Sequence, residues 1–162
     1  MDFKNLADQM IKQRGFTYPR NITIGVGVVV VEDGHFLILK RIGGKWPDTH
    51  ALVGGHPEEG ECVHDAAIRE TLEEVGLIVA PFPIENSYIF HTKEHISRAK
   101  GFHHYSVYVA AKIVGGELVN REPEKHCGLR WTTLEDAEKL ARPIDVLLPL
   151  PAIRKFRHQI GL

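Results

Sequence analysis

The sequence predicts an α+β fold in which a mixed sheet lies between helices, an αβα sandwich. Three observations point to it. Val- and Ile-rich runs at Ile22–Val31 and Phe36–Arg41 read as strands, a helical repeat of apolar residues occupies positions 62–75, and two short helical stretches follow Thr133. The 162 residues suit one domain, enough to bury roughly 70% of the surface of the unfolded chain. The expected division is a helix and linker over residues 1–20, then a single domain over 21–162.

Taken in order, Phe3, Leu6, Met10 and Ile11 fall at helical spacing, and Gly15 with Pro19 ends that helix in an extended linker. Ile22–Val31 is almost wholly apolar, as expected of a strand buried on both faces. Glu32-Asp33-Gly34-His35 turns the chain into an antiparallel partner, Phe36–Arg41. Gly25 and Gly27 do not make a dinucleotide-binding turn, because a strand follows them and the third glycine is missing. A loop over residues 43–49 leads to a short strand, Ala51-Leu52-Val53, and to Gly54-Gly55.

Beyond the central helix, Ile78-Val79 and Ser87–Phe90 are expected as strand pieces around the breaks at Pro81 and Pro83, and His91–Gly101 as a polar loop or hairpin end. Phe102–Val114 alternates as a long strand, with His104, Ser106, Tyr108 and Ala110 on one face and His103, Tyr105, Val107, Val109 and Ala111 on the other. A charged loop over residues 120–125 precedes a strand at Gly128–Thr132. Thr133 caps a short helix that Pro143 stops, and a last helix runs past Pro149 or Pro151 through Phe156 towards Gly161.

The central helix carries the chemistry. Started after Glu61 and ended at Gly76, it places Glu70, Glu73 and Glu74 at i, i+3 and i+4 on one face, with Ile68, Thr71, Leu72 and Val75 towards the core. Like charges at that spacing cost roughly 0.2 to 0.5 kcal/mol per contact. A hard divalent cation such as Mg²⁺ or Mn²⁺ offsets the cost and suits carboxylate oxygens; a solvated face partly neutralised by Arg69 is the alternative.

Gly55, five residues, Glu61, seven residues, then Arg69-Glu70-Thr71-Leu72-Glu73-Glu74-Val75-Gly76-Leu77 resembles, position by position, the signature of the Nudix hydrolases, here spanning residues 55–77. One neighbouring position departs: Val53 stands where family members commonly have proline. The resemblance implies a mixed sheet sandwiched by helices, and hydrolysis of a phosphoanhydride bond in a nucleoside diphosphate linked to a further group. It implies metal ligation by Glu70, Glu73, Glu74 and the Gly54 carbonyl, with Glu70 also matching the water-activating base. A loop glutamate, Glu122, Glu124 or Glu94, is the other candidate base.

Arg69 is expected to pair with Glu61 or Glu73 and fix the ligands' rotamers. His56 either faces phosphate or bonds backbone. Markers of the ADP-ribose and dinucleoside polyphosphate subfamilies are absent at Lys93, Glu94 and His95. Patches including Lys40-Arg41, Phe102–Val109 and Glu122–Lys125 resemble the MutT-like branch that splits nucleoside triphosphates into monophosphate and pyrophosphate. There Arg41 meets phosphate, Glu124 lies near substrate, and Trp131 or Phe102 stacks on the base, unless Trp131 is core. A nucleotide sugar as substrate and a non-catalytic nucleotide-sensing domain are the alternatives.

With 20 basic and 21 acidic residues the formal net charge is -1, which offers no electrostatic case for nucleic acid or a membrane surface. Cys62 and Cys127 form no disulfide framework and fit a reducing, cytoplasmic setting. The N-terminal stretch lacks the apolar core of a signal peptide. His91 with His95, and His103 with His104, do not converge as zinc ligands under these expectations. The amphipathic N-terminal helix and the resemblance together lead us to expect a homodimer.

Overall fold

The computed structural model describes Gln9 and residues 22–43, 46–97, 102–140 and 148–162. Apart from Gln9, the expected helix and linker over residues 1–20 lie outside them, as does Pro143. The strands are β1 (Ile22–Glu32), β2 (His35–Arg41), β3 (His50–Ala51), β4 (Leu77–Phe82), β5 (Ile89–Ser97), β6 (Phe102–Gly116) and β7 (His126–Thr132). The helices are α1 (Val63–Val75), α2 (Leu134–Glu138) and α3 (Leu150–Ile160). All seven strands share one mixed sheet, in the order β3-β2-β1-β6-β4, with β5 also on β6 and β7 also on β2.

The parallel pairing of β1 with β6 runs from Ile22 opposite His103 to Val31 opposite Lys112 and forms the spine of the sheet. β6 is long enough for β5 and β4 to lie end to end along its other edge. Strand alternation then divides the core in two. On one face Val29, Val31, Phe36, Ile38, Tyr108 and Ala110 pack against Leu134 and Ala137 of α2 and Ile153, Phe156 and Ile160 of α3. On the other, Val28, Val30, Leu37, Leu39, Val109 and Ala111 pack against Ala66, Ala67 and Val75 of α1. Each large apolar side chain removed from water in this way contributes about 1.5 to 3 kcal/mol. The expected αβα sandwich is therefore the observed fold.

Several local expectations are corrected. β1 is buried on both faces only from Val26 onwards; Ile22 and Ile24 are exposed. β4 continues through Pro81, which sits opposite Ala111, because β4 is an edge strand and proline's missing donor faces no neighbour there. The segment from His91, expected as a loop or hairpin end, is most of β5, which pairs antiparallel with β6 as another edge strand whose alternating exposure lets polar residues occupy it. Leu72, expected in the core, is 36% exposed, whereas Glu74, expected on the polar stripe, is 7% exposed. The helix is thus rolled so that Ala66, Ala67, Thr71 and Val75 meet the sheet and Glu74 points into the protein.

Candidate active site

α1 and its two flanking loops build the site. Gly76 ends the helix in a left-handed conformation, φ 73°, and its N–H donates to Leu72 O. The chain leaving β6 then runs back along this end, donating from Glu117 N to Gly76 O, Val119 N to Val75 O and Arg121 N to Glu74 O. These bonds satisfy carbonyls that a helix end leaves unpaired and bring the 120–125 loop beside the helix. On the other side, Val28 N donates to Val53 O and Val26 N to Gly55 O, so Gly54-Gly55 is laid directly against β1. Gly54 has φ 145°, and a methyl group there would overlap the Val26 carbonyl oxygen. Gly55 leaves the space that the Glu70 carboxylate occupies.

Arg69 holds the carboxylates together. Its Nε and Nη2 donate to the two oxygens of Glu61 at 2.9 and 2.8 Å, Nη1 to Glu70 Oε1 and Glu73 Oε2 at 3.0 Å each, and Nη2 also to the His56 carbonyl at 3.0 Å. The two expected partners, Glu61 and Glu73, are both engaged. These hydrogen bonds, with one from Glu58 N, hold the Glu61 carboxyl down to about 2 and push the guanidinium above its usual range. Glu70 moves the other way: burial raises its pKa, Arg69 opposes this, and the charges of Glu74 and Glu73 add to the rise. Glu74 is held by a different pair of donors, Gly54 N to Oε2 at 2.9 Å and His126 Nε2 at 3.0 Å from Oε1.

Glu70, Glu74, Gly54, Gly55, His56, Arg41 and Glu124 line one open cleft of about 580 Å³, together with Lys125 and His126. Glu73 and Glu61 are not among its lining residues and reach it through Arg69. Of the loop glutamates, Glu124 faces the cleft, Glu122 is paired with Lys125 at 2.6 Å, and Glu94 is bound by Tyr105 and His103. Arg41 Nε is buried with no hydrogen-bond partner among the described residues.

Arg41, Gly54, Gly55 and His56 also border a second lobe of about 250 Å³, walled by Trp46, Leu52, Phe102, His104 and Tyr108. Its floor explains Gly25 and Gly27: side chains there would collide with the rings of His104 and Tyr108, which lie across β1. Phe102 stacks on His104 at 5.7 Å, and Trp46 meets Phe102 edge-on at 6.5 Å. The Thr49 hydroxyl donates to the Trp46 carbonyl at 2.6 Å and helps fix that loop. Trp131 is not in either lobe; it packs beside Leu37 and Leu39 against the core under α1. Sequence reasoning did not single out Trp46 or His126, and neither carries a local signal: Trp46 arrives on the loop before β3 and His126 on the first residue of β7.

The NUDIX domain family model matches residues 21–150. An NAD-capped RNA hydrolase, NudC, of Pseudomonas aeruginosa is 33% identical over 136 residues, 83% of this chain but 42% of that protein, so the chain spans less than half the length of this relative. An ADP-ribose pyrophosphatase of Methanocaldococcus jannaschii is 29% identical over 141 residues, 85% of this chain and 79% of the other. A crystal structure of a MutT NUDIX hydrolase from Burkholderia pseudomallei superposes with a TM-score of 0.65 at 30% identity, covering 77% of this chain and 91% of that one. A NUDIX hydrolase from Nitrosomonas europaea shares the fold, with a TM-score of 0.68 at 17% identity over 86% of this chain and 91% of the other. With Glu61, Glu70 and Glu73 gathered by Arg69 beside a glycine-lined cleft and a family match over most of its length, this chain belongs to the NUDIX family of hydrolase domains.

Proposed function

We propose that this protein is a Mg²⁺-dependent diphosphatase that splits a nucleoside triphosphate into monophosphate and pyrophosphate. The reading is carried by the junction of the two lobes, where an aromatic pocket sized for a planar ring opens through Arg41, Gly54, Gly55 and His56 into a carboxylate-lined cleft. Base, phosphates and metal ligands then follow one another along a single groove.

The donor set fits a hard divalent cation. Glu70 is half-buried among other carboxylates, with its charge disfavoured by burial and by Glu74 and Glu73, which is an arrangement that a cation relieves. Glu70, Glu74 and the Gly54 carbonyl would hold it, with Glu73 linked to them through Arg69; Mn²⁺ suits the same oxygens. When bound, Mg²⁺ supplies neutralisation of the charge that builds on the phosphate oxygens.

The chain's own residues do the rest. Arg41, whose Nε lacks a partner among the described residues, pairs with a phosphate. His56 borders the same passage, and Arg69 keeps the Glu70 carboxylate at a fixed rotamer. Glu70 takes the proton from the attacking water, and Glu124 is the loop carboxylate facing the same space. Trp46 and Phe102 present ring faces and edges to the base.

Replacing Glu74 by Gln is expected to lower pyrophosphate release about 10³-fold, measured on a panel of ribo- and deoxynucleoside triphosphates with product identification. Equal turnover by the variant would end the reading. Trp46→Ala is expected to raise KM for the nucleotide about 10-fold or more while kcat changes little, since loss of a stacking face removes binding shared by ground and transition states.

A second reading keeps the chemistry and changes the leaving group: a nucleoside diphosphate linked to another moiety. It draws on the relatives named for NAD-capped RNA and for ADP-ribose. The same panel, extended to nucleotide sugars and dinucleotides, separates the two by the product released.

A further inference from the structure

We propose that His126 is a positioning residue that holds Glu74 ready for a divalent cation, an assignment that rests on the metal role proposed for the box carboxylates. Arg69 serves Glu61, Glu70 and Glu73, whereas Glu74 is gripped from opposite sides by a strand and a loop. Gly54 N donates to one oxygen at 2.9 Å, and His126 Nε2 lies 3.0 Å from the other across 52 residues of sequence. An ionised carboxylate only accepts, so Nε2 is the donor in this contact. Each oxygen keeps further lone-pair capacity for a metal.

The residue is itself held in place. His126 is 3% exposed, its backbone N–H donates to Glu122 O at 3.1 Å, and its backbone carbonyl accepts from Asn120 Nδ2 at 2.8 Å. Its Nδ1 is buried with no hydrogen-bond partner among the described residues. Burying a half-satisfied ring costs stability that an apolar side chain of similar size would not, so the ring's contribution lies in what Nε2 does. Glu122 Oε2 is 3.8 Å from the same nitrogen, and the ligand atoms of Glu74, Glu122 and His126 all lie within 4.8 Å of one another. A ligand held in place before the metal arrives loses less freedom on binding.

The test compares three variants by titration with Mn²⁺ alone, read by loss of the free-ion paramagnetic resonance signal, with no nucleotide and no turnover. His126→Gln retains a donor near the position of Nε2; His126→Asn is as polar but too short to reach Glu74; His126→Leu removes the donor. Mn²⁺ binding is expected to weaken about 10-fold or more in Asn and Leu and to stay within about 3-fold of wild type in Gln. The Mg²⁺ concentration needed for half-maximal turnover is expected to rise in step, while KM for nucleotide at saturating Mg²⁺ stays put. Should Leu fail to fold, the Gln and Asn pair decides the matter. Wild-type affinity in Asn would overturn the assignment and leave the metal reading standing, as would equal weakening in Gln and Asn. Absence of Mn²⁺ binding to the wild type would instead overturn the metal reading and this assignment with it. Unfolding of Gln and Asn alike would also overturn it, because a purely structural histidine then explains everything.

Discussion

Replacing Glu70 by Gln is expected to cut turnover about 10²- to 10⁴-fold while raising the melting temperature of the metal-free protein at neutral pH. The two effects share one cause. Burial raises the pKa of Glu70, Arg69 pulls it down, and Glu74 and Glu73 push it further up, with the rise prevailing. A carboxyl with a raised folded-state pKa holds its proton more tightly in the fold than in the unfolded chain. Its contribution to stability is complete at low pH and is lost as pH rises from the ordinary carboxylate range through the raised value. At neutral pH the ionised Glu70 is a cost, and the amide removes it while still accepting from Arg69. Thermal melts in chelator should show Glu70→Gln above wild type at pH 7 and the gap closing as the solution is acidified towards the ordinary carboxylate range. A variant that melts below wild type at pH 7 would show that the carboxylate is not destabilising, and unchanged turnover would remove it from the chemistry.

Gly54→Ala and Gly55→Ala, one residue apart, are expected to fail in different ways. At Gly54 the backbone φ is 145° and a methyl group would strike the Val26 carbonyl, so the strand itself must move. The expected loss is about 3 kcal/mol or more of stability, read by denaturant unfolding. At Gly55 the obstacle is the carboxylate of Glu70, the far end of a flexible side chain that can turn aside. That variant should fold close to wild type and lose about 10²-fold in kcat, because a ligand displaced by about 1 Å no longer serves the reaction. If Gly55→Ala kept full activity, the packing of Glu70 against the loop would be irrelevant to catalysis.

How much was legible beforehand depended on the range of the interactions. The box carboxylates fall on one helix by a spacing of three and four residues, and the family resemblance gives Arg69 either Glu61 or Glu73 as partner; all these residues lie within fourteen positions, Glu61 to Glu74. β1 is legible from its β-branched run, β2 from the turn that precedes it and β6 from its alternation. β5 was not, since an edge strand takes its hydrogen bonds from one neighbour and can carry His91, Lys93, Glu94 and His95 without an apolar face. Leu72 and Glu74 exchanged their expected environments because a helical wheel gives the angle between residues but not the roll of the helix on its sheet.

Sequence alone determined the αβα class, the family and the adjacency of the acidic residues, because each follows from periods of two to four residues or from a contiguous motif. Tertiary structure decided which glutamate is buried, that His126 meets Glu74, and that Trp46 and Phe102 rather than Trp131 line the lobe adjoining the carboxylate cleft. Those contacts join segments tens of residues apart through the parallel pairing of β1 with β6 and the loops that close over it. No local preference encodes them, since a side chain's partner across a sheet is set by strand register and by the space that glycines such as Gly25, Gly27 and Gly55 leave open.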